Sequence, residues 1–263
     1  MLAEPLALDA CLAGPPMNGG DPRPGQIDLW YVPLADFGDD DQAACFRLLS
    51  PPERERHDAF RSESARLQHL AARGLVRTTL SRYRDVAPDQ WRFETNRYGR
   101  PSIDGSLQIS GLHFNLSHTH GMAVCAIASV EEIGVDVESR DRDAGLDELA
   151  ATVLSRQERE RFDTMQGQAR GDFFFTLWTL KEAYVKARGM GLALPMNGIL
   201  VDLESSAPAV HFSDEIADDP ARWTFRSLPL EAGYIVGVAA ALPADKLKIR
   251  PARTRAINLP TTP

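Results

Sequence analysis

Hydrophobic and polar positions along the chain form short apolar runs and longer helical stripes, and this arrangement occurs twice. Continuous apolar runs at 122–128 and 234–240 predict strands that are buried on both faces. Shorter runs at 27–32 and 133–137 predict a strand at the start of each half. Apolar residues three and four positions apart predict one long helix in each half. These stripes consist of Leu67, Leu70, Ala71, Gly74, Leu75 and Thr78, and of Phe174, Leu177, Trp178, Lys181, Tyr184 and Val185.

A repeated segment connects the two halves. The nonapeptides 50–58 and 155–163 agree at six of nine positions, at an offset of 105 residues. Each begins with serine and has glutamate three residues later, which predicts a capping box at a helix start. Because strands and helices recur in the same order, we predict an α+β fold, a pseudo-dimer of two similar α+β halves with an active-site cleft between them. The alternative is a chance match, because helix starts rich in arginine and glutamate are common.

The domain boundaries follow from the repeat and from composition. Residues 1–26 are rich in proline and glycine and predict a flexible N-terminal arm. We predict an N-terminal α+β half at 27–131, which is basic, and a C-terminal α+β half at 132–249, which carries the carboxylate and lysine motifs. Residues 250–263 lack periodicity and predict a loose tail.

Composition and charge exclude several classes of protein. A net charge of −8 argues against general nucleic-acid binding. No apolar run is long enough to cross a membrane, and no secretory signal is recognisable. The cysteines Cys11, Cys45 and Cys125 match no metal spacing, so we expect reduced thiols in a cytoplasmic protein.

The charge is unevenly distributed along the chain. Residues 47–100 contain twelve arginines and seven acids, whereas residues 131–163 contain five arginines and eleven acids. A basic half beside an acidic half suggests an anionic ligand held against a metal-binding carboxylate cluster. Ordinary solvated helix faces are the alternative explanation.

Two carboxylates occupy alternate positions of a predicted strand. Asp136 and Glu138 therefore point to one face, with Val135 and Val137 expected on the core side. Two like charges on one face favour a divalent cation between them, and Mg²⁺ suits carboxylates together with waters and phosphates. An edge strand with a solvated acidic face is the alternative.

A third carboxylate lies on the second long helix. Glu182 shares a face with Trp178 and Lys186, each four residues away, and Lys181 is its neighbour. The apolar run before Trp178 predicts that this helix is buried at its start. A partly buried Glu182 could bind metal or accept a proton from a hydroxyl group. An exposed, salt-bridged stripe is the alternative.

Two polar segments are candidate ligand contacts. Residues 114–118 predict a polar turn, in which Ser117 and His118 suit a phosphate or ribose contact better than a hydrolase dyad. Metal binding by His118 and His120 lacks a third ligand. Residues 98–101 predict a turn because glycine and proline follow one another closely.

Taken together, these motifs resemble those of the surfactin-type 4′-phosphopantetheinyl transferases. The motifs are Tyr-Gly-Arg-Pro at 98–101, Asn-Leu-Ser-His at 115–118, Gly-Val-Asp-Val-Glu at 134–138 and Trp-Thr-Leu-Lys-Glu-Ala at 178–183, followed by Lys186 and Gly189. The resemblance extends from about residue 27 to residue 240. The family has a pseudo-dimeric α+β fold, which agrees with the internal repeat.

The resemblance implies transfer of the 4′-phosphopantetheine arm of coenzyme A to a serine of an apo acyl or peptidyl carrier protein, with release of 3′,5′-ADP. Coenzyme A is then the co-substrate and Mg²⁺ the cofactor, with Mn²⁺ as an alternative. Asp136, Glu138 and Glu182 match the metal ligands. Glu182 also matches the base, acting directly or through water, and Lys186 matches the lysine beside the α-phosphate.

The same resemblance assigns contacts to coenzyme A. The expected residues are Arg56, Gly99, Arg100, Pro101, Ser117, His118, Lys181 and Lys186. Ser117 and His118 match contacts to adenosine and the 3′-phosphate, and Arg56 matches a basic residue near that phosphate. Glu53 and Gln68 depart from the family, because basic residues are common at both positions.

The resemblance also implies partners. Carrier proteins are typically acidic, and the basic segment 47–100 offers a complementary surface. Residues 146–154 are expected either to meet the carrier or to belong to the core. We expect a monomer that serves polyketide or peptide synthases, without nucleic-acid or membrane partners. A carrier-binding relative without activity and a Mg²⁺-dependent phosphohydrolase are the competing functions.

Overall fold

The chain forms two α+β units in the computed structural model, which describes residues 20–141, 145–204, 208–231 and 233–254. The described part of the first unit comprises 20–94, 102–131 and 248–254, and that of the second comprises 95–101 and 132–247 without the gaps. None of the helices in these ranges is long and apolar enough to span a bilayer.

The first unit contains three helices and a sheet of four strands. Its elements are β1 (Gln26–Pro33), α1 (Asp39–Leu48), α2 (Pro51–Ala59), α3 (Glu63–Leu80), β2 (Phe93–Thr95), β3 (Pro101–Ile103), β4 (His113–Thr119), β5 (Met122–Ala128) and β11 (Lys248–Arg253). The sheet order is β11-β1-β5-β4, with β11 parallel to β1 and the other pairs antiparallel. Strands β2 and β3 form a separate hairpin whose tip, residues 95–101, belongs to the second unit.

The second unit has the same order of elements. It contains β6 (Ile133–Ser139), α4 (Leu146–Val153), α5 (Arg156–Asp163), α6 (Gly167–Arg188), β7 (Ile199–Asp202), β8 (Ala209–Phe212), β9 (Thr224–Leu230) and β10 (Tyr234–Ala240). Its main sheet has the antiparallel order β6-β10-β9, and β7 pairs with β8. In both units the first strand pairs with the last strand of a hairpin, and the third helix packs on that pair. The two units therefore share the recurring order of strands and helices that the sequence predicted.

The predicted long helices and apolar strands are present, but the segment 114–118 is not a turn. It lies within β4, which pairs with β5 from His113 opposite Ala128 to Thr119 opposite Met122. Asn115 and Ser117 are buried on this strand. The prediction was wrong because the polar residues between Gly111 and Gly121 suggested a turn, although residues 113–117 alternate between polar and apolar side chains as a strand does.

The predicted tail is also structured at its start. Residues 250–253 belong to β11, and Arg250 Nε donates to Asp28 Oδ1 at 3.0 Å across 222 residues of sequence. Asp28 is buried on β1 and also accepts from the Tyr83 hydroxyl at 2.6 Å. A parallel strand paired over such a distance leaves no local pattern. Residues 255–263, and residues 1–19 of the predicted arm, lie outside the described ranges.

A buried ion pair connects α5 to α6 in the second unit. Glu158 forms the predicted capping box, because its Oε2 accepts from Ser155 N at 2.7 Å and its N–H donates to Ser155 Oγ at 3.3 Å. Lys181 Nζ donates to the same Oε2 at 2.5 Å and to the carbonyl oxygens of Val153 and Met196 at 2.8 and 3.2 Å. Lys181 is fully buried, and this burial lowers the pKa of its ammonium group. Its three donors are all used inside the unit.

The first unit contains the corresponding pair between α2 and α3. Ser50 N donates to Glu53 Oε2 at 2.9 Å, and Arg77 NH2 donates to the same oxygen at 2.6 Å. Arg77 NH1 reaches the carbonyl oxygens of Pro88 and Trp91 at 3.2 and 2.8 Å. Burial opposes the ionisation of Glu53, but the Ser50 hydrogen bond and the Arg77 charge outweigh it and lower the pKa. Glu53, which departs from the family pattern, is therefore part of the scaffold.

Removing the cation of one such pair should destabilise the protein strongly. We expect Lys181→Met to lower the free energy of unfolding by about 3–5 kcal/mol, because Glu158 stays buried without its counter-charge. Denaturant unfolding of the purified protein measures this change. Lys246→Met is the matched control on an exposed residue, expected to change stability by less than about 0.5 kcal/mol. Equal stability of the two variants would contradict the structural role of Lys181.

Candidate active site

Strand β6 and helix α6 bring a carboxylate and a lysine into direct contact within the second unit. Asp136 lies on β6 with only 5% of its surface exposed. Lys186 Nζ donates to Asp136 Oδ1 at 2.6 Å and to the Val135 carbonyl oxygen at 3.2 Å. The lysine predicted to stand beside the carboxylates is therefore bonded to one of them.

The face of β6 that carries Asp136 is covered by helix α6. Gly134 and Asp136 share that face, and the position of a Cβ on Gly134 would collide with the backbone of Ala183. Val135 and Val137 are also buried, on the opposite face of the strand. Both faces are thus covered, and the acidic face lies under the helix that carries the third carboxylate. The alternative of a solvated acidic strand does not describe Asp136.

The other two carboxylates affect the pKa of Glu182. Glu182 is half-buried on α6, and burial is the main reason that its pKa is raised. The negative charges of Asp136 and Glu138 raise this pKa further, whereas the charge of Lys186 lowers it. The three carboxylates are therefore close enough to repel one another, and Lys186 offsets part of that repulsion.

Asp136, Glu138 and Glu182 offer the oxygen donors that a hard divalent cation prefers, but they do not complete its coordination shell by themselves. Within the described ranges, no group of three or more histidine, cysteine, aspartate and glutamate side chains is arranged to hold a metal ion. Mg²⁺ usually takes one or two carboxylates and completes its shell with water and substrate phosphates. The repulsion felt by Glu182 is what such a cation would relieve. Asp136, Glu138 and Glu182 therefore suit a site that is completed by further ligands.

The tip of the β2–β3 hairpin is attached to the end of α6. Asn96 Oδ1 accepts from the backbone N–H of Tyr98 and Arg100 at 2.9 and 3.0 Å, and its Nδ2 donates to the Gly189 carbonyl at 2.8 Å. Arg100 NH1 donates to the Ala187 carbonyl at 2.8 Å. These bonds hold the predicted residues Gly99, Arg100 and Pro101 at the C-terminal end of the helix that carries Glu182 and Lys186.

Sequence reasoning missed Asn96. Its signal is present in the chain, because an asparagine two residues before a glycine-containing turn commonly bonds the backbone that follows it. Gly99 has a φ of +88°, a backbone conformation that favours glycine. Asn96 and Gly99 together fix the shape of the tip and the direction of Arg100.

The remaining predicted nucleotide contacts lie in the first unit. Ser117 is buried and His118 exposed on β4, and Arg56 is exposed on α2. His118 Nδ1 lies 3.3 Å from Gln68 Oε1, and Gln68 Nε2 donates to Ser64 Oγ at 3.0 Å. Gln68, the second departure from the family pattern, thus orients His118.

One predicted role was wrong, and the structure decides one open alternative. Lys181 was expected to contact coenzyme A, but its ammonium is fully buried and bonded to three acceptors, so it has no donor for a ligand. In the segment 146–154, Leu146, Val153 and Leu154 belong to the hydrophobic core, and Leu149 is half-buried against it. The core reading therefore holds for these leucines and the valine.

The raised pKa of Glu182 predicts a pH-dependent loss of stability. The pKa of Glu182 in the folded state lies above its ordinary value of 4.5. The free energy of unfolding of the wild type should therefore fall as the pH rises from 4.5 through the raised pKa. Glu182→Gln removes this fall, so the variant should be more stable than wild type at neutral pH in metal-free buffer. Thermal unfolding across the pH range, with a chelator present, measures both profiles. Glu215→Gln, on an exposed residue, should follow wild type, and parallel profiles for Glu182→Gln would contradict the expectation.

Comparison with known proteins identifies the class to which this arrangement belongs. A family model described as the 4′-phosphopantetheinyl transferase superfamily matches residues 132–239. The chain is 31% identical to the 4′-phosphopantetheinyl transferase HetI of Nostoc over 82% of this chain and 88% of that protein. It is 30% identical to the 4′-phosphopantetheinyl transferase Sfp of Bacillus subtilis over 74% of this chain and 84% of that protein.

A solved structure of holo-[acyl-carrier-protein] synthase from Thermotoga maritima is a more distant match. It covers 42% of this chain and 62% of that one, with 20% identity and a TM-score of 0.33, which is too low to support a conclusion about the fold. The two transferases, by contrast, share about 30% of their residues with this chain over most of their length. The chain therefore belongs to the Sfp-type 4′-phosphopantetheinyl transferases and is an enzyme of that family.

Proposed function

We propose that this enzyme transfers the 4′-phosphopantetheine arm of coenzyme A to a serine of an apo acyl or peptidyl carrier protein, with Mg²⁺ bound, and releases 3′,5′-ADP. The observation that carries the proposal is the charge cluster of the second unit. A buried Asp136 is paired with Lys186, beside a Glu182 whose pKa is raised. A cluster of this kind suits a pyrophosphate substrate, because charge develops on its oxygens during transfer.

The transfer exchanges one phosphorus–oxygen bond for another. The serine hydroxyl oxygen of the carrier attacks the β-phosphorus of coenzyme A, and the bond from that phosphorus to the bridging oxygen breaks. The bridging oxygen leaves with its electron pair on the α-phosphate of 3′,5′-ADP. The serine proton passes to Glu182, directly or through water.

Asp136, Glu138 and Glu182 are the residues that would hold Mg²⁺ or Mn²⁺, together with oxygens of the pyrophosphate. The bound ion supplies charge neutralisation for the phosphates. Lys186 has a second role in this proposal. Its ammonium neutralises Asp136 before the substrate binds, and it then reaches the α-phosphate, where the negative charge of the leaving group develops.

Residues of each unit are proposed to contact coenzyme A. Arg56 and His118 would hold the 3′-phosphate, and Ser117 the adenosine. Gly99, Arg100 and Pro101 would border the adenine. Glu53 and Gln68 are not proposed to bind the 3′-phosphate, because Glu53 is bonded to Arg77 and Gln68 orients His118.

The proposed setting follows from the resemblance to the transferase family. The partners are apo carrier domains of polyketide or nonribosomal peptide synthases, whose acidic surfaces suit the basic segment 47–100. We propose a cytoplasmic monomer without nucleic-acid or membrane partners. Buried, unbridged Cys45 and Cys125, whose burial raises the pKa of both thiols, are consistent with a reducing compartment.

Intact mass spectrometry of an apo carrier domain tests the transfer. After incubation with the enzyme, coenzyme A and Mg²⁺, we expect the carrier to gain the mass of one phosphopantetheine arm. Glu182→Gln should lower the rate by about 10²–10⁴-fold, because it removes the base, while Glu215→Gln should leave it unchanged. If several carrier classes gain no mass although coenzyme A binds, the protein is a carrier-binding relative without transferase activity.

Metal binding has a readout that needs no turnover. With coenzyme A present, Mg²⁺ at a hundred times its dissociation constant should stabilise the protein by about 2.7 kcal/mol. Asp136→Asn should lose most of this stabilisation, because it removes a negative ligand. Thermal unfolding with Mg²⁺ and with chelator measures both. An equal Mg²⁺ effect in Asp136→Asn would place the metal elsewhere.

A further inference from the structure

Helix α6 approaches its sheet at two glycines. A Cβ on Gly237 of β10 would lie 2.6 Å from Leu180 N and closer still to the backbone carbon and oxygen of Thr179. A Cβ on Gly134 of β6 would lie 2.7 Å from Ala187 N and closer still to the Ala183 oxygen. In both places the obstacle is helix backbone, which cannot turn aside as a flexible side chain can. The helix can be this close to the sheet only because both positions lack a side chain.

These two glycines frame the buried carboxylate. Gly237 is directly opposite Asp136 in the antiparallel pairing of β10 with β6. Gly134 precedes Asp136 by two residues and therefore points to the same face. Asp136 thus lies between two positions where the backbone of α6 nearly touches the sheet.

The α6 residues that contact the two glycines have the same spacing along the helix as the candidate active-site residues. Thr179 and Ala183, which meet the glycines, are fully buried and one helical turn apart. Glu182 follows Thr179 by three residues, and Lys186 follows Ala183 by three. The height of α6 above the sheet therefore decides how far Glu182 and Lys186 stand from Asp136.

The first unit shows that this fold does not need the glycines. Its helix α3 packs on β1 and β5, yet neither strand contains a glycine. Side chains such as Trp30 and Cys125 fill the space between that helix and its sheet. Strand glycines at the helix contact therefore occur in the unit that carries the carboxylates, and the described strands β1 and β5 have none.

We propose that Gly134 and Gly237 are positioning residues, which set the depth of α6 on the sheet at the value where Glu182 and Lys186 meet Asp136. The proposal rests on the proposed function for its kinetic consequences. Gly134 belongs to the acidic motif of β6, whereas Gly237 lies about a hundred residues further along the chain and was not recognised in the sequence. Neither glycine touches the reacting atoms.

Gly237→Ala is the direct test. The added methyl group forces α6 away from β10, and a misplacement of about 1 Å in a catalytic group can lower the rate by about 10²-fold. With saturating coenzyme A and carrier, we expect kcat to fall by about this factor and half-maximal activation to need more Mg²⁺. The KM for the carrier should change little, because Thr179 and Ala183, which meet the glycines, are fully buried and neither glycine lies in the basic segment 47–100 proposed for docking. Gly134→Ala should act in the same direction.

Gly171→Ala is the matched control on the same helix. Gly171 is buried in α6, and a Cβ there would meet nothing within 4 Å. Alanine is the better helix former, so this variant should unfold at a higher temperature and keep the wild-type kcat and Mg²⁺ dependence. If Gly237→Ala does not fold alone, the double variant with Gly171→Ala supplies the stabilised background for the same measurements.

A stability measurement separates this proposal from the proposed function. Lys186→Met should lower the denaturation midpoint in the wild-type background, because it breaks the bond to Asp136. It should lower the midpoint less in the Gly237→Ala background, where that bond is already weakened. Equal losses in both backgrounds, or a Gly237→Ala enzyme with wild-type kcat and Mg²⁺ dependence, would overturn the positioning role. If wild type itself neither modifies a carrier nor responds to Mg²⁺, the proposed function fails, and the stability cycle still decides the positioning role.

Discussion

A buried cation bonded to the carboxylate of a capping box holds the long helix of each unit in place. In the second unit Lys181 joins α6 to the start of α5 through Glu158, and in the first Arg77 joins α3 to the start of α2 through Glu53. Each cation also ties down carbonyl groups of neighbouring segments. One buried charge thus fixes a helix start, a long helix and a connecting segment together. Removing one partner of such a pair leaves the other charge buried without its counter-charge, which is costly. The pair therefore holds each helix in one position.

The two units share this framework but place different side chains at the equivalent positions. Five residues beyond the buried cation, each unit presents a second cation to its first strand: Arg82, just after the end of α3, and Lys186 on α6. In the first unit, Arg82 lies 4.7 Å from the centre of the Trp30 ring, whereas in the second Lys186 bonds to Asp136. The first contact packs a cation against an aromatic ring, and the second belongs to the charge cluster around Asp136. The family membership of the chain and the position of its acidic motif agree with this division of roles.

The charge cluster illustrates how the scaffold supports unfavourable electrostatics. Three carboxylates lie near one lysine, and burial together with mutual repulsion raises the pKa of Glu182. A protein does not gain stability from such an arrangement, so other parts of the unit must offset it. The core around α6, from Phe174 to Ala187, and the buried Lys181 pair provide that support. A bound cation would relieve the repulsion.

Particular residues show how far the sequence alone could reach. The nonapeptide repeat, the capping boxes at Ser50 and Ser155, and the apolar spacing of the long helices are local patterns. They predicted the order of elements because helix and strand formation depends on neighbours a few residues apart. The spacing of Asp136 and Glu138, and of Glu182 and Lys186, likewise identified the acidic strand and its helix. The partner of Lys181, the strand after residue 247, the attachment of Asn96 to Gly189 and the closeness of α6 at Gly237 were decided only by tertiary structure. Each of these joins segments that are distant in the chain, through contacts that only packing of the completed elements brings within reach.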